Sequence, residues 1–203
     1  IPLGIRDNNY SEPPISPAHT FNLLAIGRLT YYKGFHNLVH AAEAIENIRI
    51  TIIGTGEEQN RLNSLIQSSG TGDTVELGGY VSNEQLEVMV KECDVICLPS
   101  IERTEAFGVV LLEAMRAGKA VIAGNVMGSG IGWVVADEVT GLLITPNSPK
   151  SLREAIIRLR DNPKLVRELG LSGRRRYEEK FIIDKTAAQV IKVYEDCLPS
   201  LPA

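Results

Sequence analysis

Runs of consecutive apolar residues alternate along most of the chain with segments in which apolar residues recur at helical spacing. Near-continuous apolar runs are typical of strands that are covered on both faces. The predicted strands are Asn22–Gly27, Arg49–Gly54, Thr74–Leu77, Asp94–Leu98, Ala120–Ala123 and Gly141–Thr145. The predicted helices are Gly34–Glu46, Glu57–Ser68, Asn83–Glu92, Phe107–Ala117, Pro149–Arg160, Pro163–Glu179 and Asp184–Cys197.

This alternation predicts the fold class. Strands that alternate with helices require right-handed crossovers and a parallel sheet. We expect an α/β fold with a Rossmann-like doubly wound parallel sheet of about six strands, helices on both faces and extra C-terminal helices. A polar segment rich in proline, Ser11 to Pro17, precedes the first strand and predicts an irregular linker. The expected division is therefore a hinge or linker at 1–20, one Rossmann-like domain at 21–180, and a C-terminal helix and tail at 181–203.

Composition limits the possible partners and setting. The chain has 203 residues, of which 44% are hydrophobic and 23% charged, and its net charge is −4. A general nucleic-acid binder is usually basic, so we expect no nucleic-acid partner. No apolar run reaches the length of a membrane span, and the first residues lack the pattern of a signal peptide. Cys93, Cys97 and Cys197 form neither a disulfide framework nor a zinc pattern, which favours a reducing, cytoplasmic location.

A cluster of basic residues lies near the C-terminus, at Arg174-Arg175-Arg176 and Lys180. The preferred interpretation is a solvated helix face, balanced by Glu178 and Glu179. A peripheral contact with the inner face of a membrane is the alternative.

The ends of the predicted strands are where a ligand site is expected, because doubly wound sheets bind ligands beyond the carboxyl ends of their strands. Every strand exit in this chain carries a glycine or a charged residue. Such exits suit a small phosphorylated ligand that is held by main-chain groups and a few side chains. The exits considered are Gly27 to Gly34, Gly54 to Glu58, Gly78 to Val81, Ser100 to Gly108 and Gly124 to Gly130.

Two carboxylates, Glu105 and Glu113, follow the fourth strand with seven residues between them. The first is expected at the junction of loop and helix, and the second inside the helix. Free N–H groups at a helix start attract anions, and a buried carboxylate nearby needs a partner. A ligand that carries both phosphate and several hydroxyl groups satisfies both requirements, and a nucleotide-sugar is such a ligand.

Two cations, Arg28 and Lys33, follow the first strand and are flanked by Gly27 and Gly34. A guanidinium offers a planar fork for phosphate oxygens, and an ammonium offers a compact charge. We interpret the pair as holding a diphosphate and stabilising its charge as it leaves. The alternative is two solvated surface cations.

Other motifs give weaker signals. Gly54-Thr55-Gly56 resembles a dinucleotide fingerprint, but Gln59 stands where the third glycine belongs, which argues against an NAD-dependent oxidoreductase. His36 and His40 share a helix face, yet no third metal ligand is evident. The chain also lacks an Asp-x-Asp triplet. We therefore expect no metal and no cofactor.

Taken in order, these motifs resemble the C-terminal, donor-binding domain of family-four retaining glycosyltransferases with the two-Rossmann-domain (GT-B) architecture. The resemblance runs from about Ile1 to Tyr194. The segments that carry it are Ile1 to Asp7, Gly27-Arg28-Leu29, Lys33-Gly34, Gly54-Thr55-Gly56, Pro99-Ser100, Glu105 to Gly118 and Thr140 to Leu143.

The resemblance implies a role for each matching residue. Glu113 accepts hydrogen bonds from the ribose hydroxyls, and Glu105 contacts hydroxyls of the donor sugar near the reacting carbon. Arg28 and Lys33 hold the diphosphate leaving group, so the implied catalytic residues are Arg28, Lys33 and Glu105. The substrate-binding residues that the resemblance implies, with the base near Tyr80, are Gly27, Gly54, Gly56, Tyr80, Val81, Leu86, Phe107, Gly108, Val109 and Glu113.

The sequence departs from the family pattern at two motifs and lacks a counterpart of one domain. Leu3 stands at a usual Asn position, and Gly128 to Trp133 replaces a usual Gly-Gly-x-x-Glu segment. The family's N-terminal acceptor domain has no counterpart in this sequence. The expected function is the donor-binding half of a retaining hexosyltransferase in surface polysaccharide or lipopolysaccharide assembly, which transfers poorly or not at all by itself. A nucleotide-sugar binding module without activity is the alternative.

Overall fold

The computed structural model describes residues 1–7, 20–43 and 45–198. The proline-rich linker and His19 lie outside these described residues. The strands are β1 (Phe21–Ile26), β2 (Ile48–Ile53), β3 (Val75–Gly79), β4 (Val95–Leu98), β5 (Ala120–Gly124) and β6 (Leu142–Ile144). The helices are α1 (Phe35–Ala42), α2 (Gln59–Ser68), α3 (Asn83–Glu92), α4 (Val109–Arg116), α5 (Ile131–Val134), α6 (Pro149–Arg160), α7 (Pro163–Lys180) and α8 (Ile183–Cys197), with a 3-10 turn at Tyr31–Lys33.

The six strands form one sheet in the order β3-β2-β1-β4-β5-β6. All five neighbouring pairs are parallel. The chain moves outward from β1 to β3 and then returns to place β4 on the other side of β1. This reversal creates a topological switch point between β1 and β4, where doubly wound sheets hold their ligands. The predicted parallel sheet of about six strands is confirmed.

Two apolar layers, one on each face of the sheet, form the core. The first packs α1, α2 and α6 against one face and includes Phe35, Ile50 and Leu152. The second packs α4, α5 and part of α3 against the other and includes Ile96, Leu111 and Ile131. The predicted helices on both faces are therefore confirmed.

Helix α7 connects these two layers. Leu169, near its middle, belongs to the first layer, whereas Tyr177 belongs to the second. Between them, Gly170 lies against the main chain of Gly118 at the start of β5, where a Cβ would overlap the Gly118 carbonyl oxygen. Helix α7 thus crosses the sheet at the amino end of its strands, which is the end opposite the expected ligand site.

The first residues are bound to the C-terminal helices. The main chain of Ile5 donates to Phe181 and accepts from Ile183 (both 3.0 Å), and the Tyr177 hydroxyl donates to the Ile5 carbonyl (3.0 Å). Asp7 forms a two-pronged ion pair with Arg174 (2.7 and 2.9 Å). Residues 5–7 are consequently part of the folded unit, although the sequence predicts a hinge over 1–20.

Arg174 also corrects the interpretation of the basic cluster as a solvated helix face. Its side chain is buried, and besides Asp7 it binds Glu178 and the Arg116 carbonyl oxygen (both 2.7 Å). Arg176 donates to the main-chain oxygens of Trp133 and Val134. Two of the three consecutive arginines therefore hold the fold together, which sequence proximity alone could not reveal.

Helix α8 packs loosely on the rest of the chain, and Thr186 is its one buried residue. One side of the helix carries an exposed apolar stripe with the spacing of successive turns. The stripe consists of Ile183, Ala187, Val190, Ile191, Tyr194 and Leu198. Ile1 and Leu3 are also exposed, and the backbone of Ile5 pairs with that of Ile182 immediately before the helix.

Candidate functional site

The loops that follow β1 and β4 pack against each other at the switch point. The Ile101 N–H donates to the Tyr32 carbonyl oxygen (2.8 Å). Gly34 has a left-handed backbone (φ 70°), and a Cβ there would overlap the Pro99 carbonyl oxygen. Only glycine tolerates both conditions. One of these loops carries the two cations of the predicted site, and the other carries its first carboxylate. The two loops are therefore held together.

Lys33 and Glu105 meet at this contact. The Lys33 ammonium lies 2.5 Å from Glu105 Oε2, and both side chains are largely buried, with 12% and 11% of their surface exposed. The hydroxyl of Ser100, which is fully buried, donates to the same oxygen (3.2 Å). The structure thus brings together a cation and a carboxylate that are 72 positions apart in sequence. Sequence reasoning gave Ser100 no role of its own, although its place at the end of β4 was a usable signal.

Arg28 lies in the same loop as Lys33 and is exposed. No described residue forms a hydrogen bond or an ion pair with its guanidinium. Lys33 approaches the start of this loop, because a Cβ on Gly27 would lie 3.2 Å from Lys33 Cε. The exit of β1 therefore presents one cation that is already paired and one that is open to solvent.

The exits of β1, β2 and β3 are joined by main-chain hydrogen bonds. Gly27 donates to Ile53, Leu29 to Thr55 and Gly54 to Gly79, at 2.8–2.9 Å. Gly54 has φ 140°, and a Cβ there would overlap the Gly27 carbonyl oxygen. Gly56 similarly lies against the Leu29 carbonyl oxygen. The two glycines of the fingerprint-like motif therefore allow close packing of the loops at the site.

Helix α4 begins two residues later than predicted. Gly108 adopts a left-handed backbone (φ 77°, ψ 60°) that α-helix cannot continue, so the first helical residue is Val109. No described residue accepts a hydrogen bond from the N–H groups of Phe107, Gly108 or Val109. These donors lie at the start of a helix, where the helix dipole favours the binding of an anion.

The side chain of Phe107 has a structural role. Its ring contacts those of Trp133 (centroid distance 6.2 Å) and Phe181 (6.3 Å). Trp133 lies on α5, a short helix in the glycine-rich segment after β5 that the sequence pattern did not predict. The loop before α5 is attached to the β4 exit, because the Gly130 N–H donates to the Ala106 carbonyl oxygen (2.7 Å).

Glu113 lies inside α4, as predicted, and is mostly buried. Burial raises the pKa of its carboxyl group, and the nearby Arg116 charge opposes that rise. Among the described residues, no hydrogen bond or salt bridge reaches this carboxylate. A group in such surroundings is suited to accept hydrogen bonds from a ligand.

The residues expected near the base lie after β3. Tyr80 is 85% exposed, which leaves its ring free to contact a ligand. Val81 and Leu86 are partly buried and pack against the second apolar layer. The described part of the chain gives no contact between these three residues and the Lys33–Glu105 pair.

The two histidines of α1 have other partners. His36 stacks on Tyr31 (centroid distance 5.1 Å), and burial lowers its pKa. His40 contacts Glu43 (2.9 Å). Residues 1–7, 20–43 and 45–198 contain no group of three or more potential metal ligands. Within these ranges there is also no helix with the length and apolar character needed to cross a bilayer.

The sequence matches one family model over residues 8–176, and that model describes glycosyl transferases group 1. Among curated proteins, the O-antigen chain mannosyltransferase C of Escherichia coli is 30% identical over 98% of this chain and 55% of its own length. The chain thus spans about half the length of the curated relatives it matches.

Solved structures give a similar result. Sucrose-phosphate synthase from Thermosynechococcus elongatus superposes with a TM-score of 0.85 and 31% identity, over 97% of this chain and 52% of that one. Alr3699/HepE of Anabaena in complex with UDP superposes with a TM-score of 0.80 and 23% identity, over 88% of this chain and 49% of its own. The same Anabaena protein has also been solved with UDP-glucose.

Proposed function

The chain belongs to the glycosyl transferases group 1 family, and from this premise we propose that it is the donor-binding half of a retaining glycosyltransferase. The proposed reaction moves a hexose from a nucleoside-diphosphate sugar to an acceptor. The E. coli relative is a mannosyltransferase of the O-antigen chain, which supports a role in surface polysaccharide or lipopolysaccharide assembly. A structural neighbour that is solved with UDP and with UDP-glucose supports a nucleotide-sugar donor.

One observation carries the proposal: the cations and the first carboxylate of the predicted site lie on loops that meet at the switch point of the sheet. In the proposed complex, Arg28 and Lys33 hold the diphosphate, and the N–H groups at the start of α4 face the sugar or phosphate. Glu105 accepts hydrogen bonds from the sugar, and Glu113 accepts them from the ribose. The base lies near Tyr80, Val81 and Leu86.

The proposed chemistry is stabilisation of a leaving group. As the bond between the anomeric carbon and the diphosphate oxygen breaks, negative charge grows on the diphosphate. Cations that are already in place stabilise this charge, and one such interaction contributes about 3 kcal/mol to lowering a barrier. We propose that Arg28 and Lys33 take this role, so that donor binding requires no divalent metal.

A second domain is part of the proposal, because the relatives are about twice as long as this chain. The exposed apolar stripe of α8 and the neighbouring Ile1 and Leu3 are suited to contact such a domain. Acidic residues outnumber basic ones on α8 by three to two, which favours a protein surface over an anionic membrane. This domain would supply the acceptor site, and we expect the chain to bind donor but to transfer poorly without it.

The test is calorimetric titration of the 203-residue chain with UDP-, GDP- and ADP-sugars in the presence of EDTA. Arg28→Ala is expected to weaken nucleoside diphosphate about tenfold and free nucleoside little, because one charge-assisted contact contributes about 1.4 kcal/mol. Arg49→Ala is the matched control, since Arg49 is exposed at the amino end of β2, whereas the proposed site lies at the carboxyl ends of the strands. Equal affinity of the parent chain and the Arg28 variant for diphosphate would contradict the assigned site.

A further inference from the structure

The ion pair between Lys33 and Glu105 has a consequence for ligand selection. The Lys33 ammonium lies 2.5 Å from Glu105 Oε2, and the two side chains are only 12% and 11% exposed. The same oxygen accepts the Ser100 hydroxyl bond. A phosphate oxygen that binds Lys33 must therefore compete with a carboxylate that already holds this cation.

We propose that Glu105 is a specificity-determining residue that penalises nucleoside diphosphate bound without its sugar. The inference rests on the function proposed above. When a diphosphate takes the Lys33 ammonium, the largely buried Glu105 carboxylate loses its cation. The one hydroxyl bond from Ser100 does not replace the cation, so a largely buried carboxylate in this state is costly, and further hydrogen bonds from a ligand reduce the cost. A donor whose sugar supplies hydroxyl groups repairs this loss, and a nucleoside diphosphate alone does not.

The same competition favours replacement of the spent diphosphate by a new donor. After the sugar has been transferred, the diphosphate remains without hydroxyl groups near Glu105. The carboxylate then recaptures Lys33, which weakens the hold on the diphosphate. The pair therefore discriminates between an intact donor and a spent one at a single contact.

The experiment compares the affinities of nucleoside diphosphate and nucleoside-diphosphate hexose for the chain and its variants. UDP, GDP and ADP are titrated first, and the tightest of them is used with its glucose or mannose conjugate. Glu105→Gln keeps the shape of the side chain but removes the competing charge. We expect it to bind the diphosphate about tenfold more tightly, which corresponds to about 1.4 kcal/mol, and to lose most of its preference for the sugar conjugate.

Glu102→Gln is the matched control. Glu102 is exposed in the same loop, and its substitution removes the same charge without touching Lys33. We expect its affinities to stay within about twofold of the parent chain, because exposed charges interact weakly through solvent.

A double-mutant cycle separates capture of Lys33 from general repulsion between Glu105 and the diphosphate. Lys33→Met alone is expected to weaken diphosphate binding. If Glu105 acts by holding Lys33, the gain from Glu105→Gln disappears when Lys33 is absent. If that gain is the same with and without Lys33, the proposed competition is wrong.

A second measurement uses the unaltered chain, in case Glu105→Gln does not fold. The NMR signal of the Lys33 ammonium is identified by its loss in Lys33→Met and followed as diphosphate is added. The signal is expected to shift on saturation, because the ammonium changes partners. A signal that stays unchanged at saturation, or a Glu105→Gln chain that folds without gaining diphosphate affinity, overturns the inference while the proposed function stands. Failure of the parent chain to bind any of the probes overturns both.

Discussion

At the scale of single residues, the buried carboxylate of Glu113 is kept at the expense of the stability of the fold. Its carboxylate is mostly buried on α4, and no described residue forms a hydrogen bond or salt bridge with it. Burial raises its pKa, so the folded protein holds the proton more strongly than the unfolded chain does. Folding stability therefore falls as the pH rises from below the ordinary carboxyl pKa to above the raised one.

Glu113→Gln is accordingly expected to stabilise the chain at about pH 7, by on the order of 1 kcal/mol, because the buried charge is gone. At about pH 4 the gain should shrink, since a protonated Glu and a Gln are both neutral. Urea unfolding at the two pH values measures the difference, with Glu87→Gln on the exposed face of α3 as control. A variant that is less stable than the parent chain at neutral pH would show that Glu113 supports the fold.

The positions of single residues in the fold could be predicted from sequence only where they depend on local order. The place of Arg28 and Lys33 at a strand exit, and of Glu105 before a helix, followed from the neighbouring residues and is confirmed. The contact between Lys33 and Glu105 and the burial of Arg174 did not follow, because both depend on which distant loops and helices the fold brings together.

At the scale of elements, helices with strong end signals were predicted to the residue. Helix α3 begins after Ser82, which forms a capping box with Gln85, and α6 begins with Pro149 after the capping Ser148. Helix α5 was missed because it is only four residues long and contains Gly132. The start of α4 was placed too early, because the apolar pattern does not reveal the left-handed backbone of Gly108.

The close packing of the loops that follow β1 and β2 gives a prediction at the scale of elements. Gly54→Ala is expected to destabilise the chain by roughly 3 kcal/mol or more, because the added Cβ meets both an unfavourable φ and the Gly27 carbonyl oxygen. Gly70→Ala is the matched control. Gly70 also has a positive φ (68°), but its Cβ would have no neighbour within 4 Å, so only about 1 kcal/mol is expected.

Both variants are measured by chemical denaturation and by diphosphate titration. Gly54→Ala should also weaken ligand binding, because it displaces the loop that carries Arg28, and Gly70→Ala should not. Equal stability losses in the two variants would contradict the close packing of the two loops.

At the scale of the whole molecule, the order of apolar runs was sufficient to predict a parallel doubly wound sheet. The path of α7 was not predictable, because its residues read as an ordinary amphipathic helix. In the structure, α7 contributes Leu169 to one apolar layer and Tyr177 to the other. The loss of either layer therefore removes part of the packing of the other.

This arrangement predicts that the sheet and its two layers unfold together. Trp133, the one tryptophan in the sequence, packs edge-on against Phe181, which belongs to the second layer, and therefore reports on that layer by fluorescence. Circular dichroism reports on helices of both layers. The two denaturation curves are expected to coincide, as they do for a cooperative domain. A fluorescence transition that precedes the loss of helix signal would show that the layers unfold separately.

The attachment of residues 5–7 to α7 and α8 has a mechanical consequence. A pull on the first residue acts along the short parallel bridge between Ile5 and Ile182, and on the Asp7–Arg174 pair, before it reaches any strand of the sheet. Such tension is thereby directed first into the last two helices, and the contact of the Phe181 ring with that of Phe107 connects them to the loop that carries Glu105.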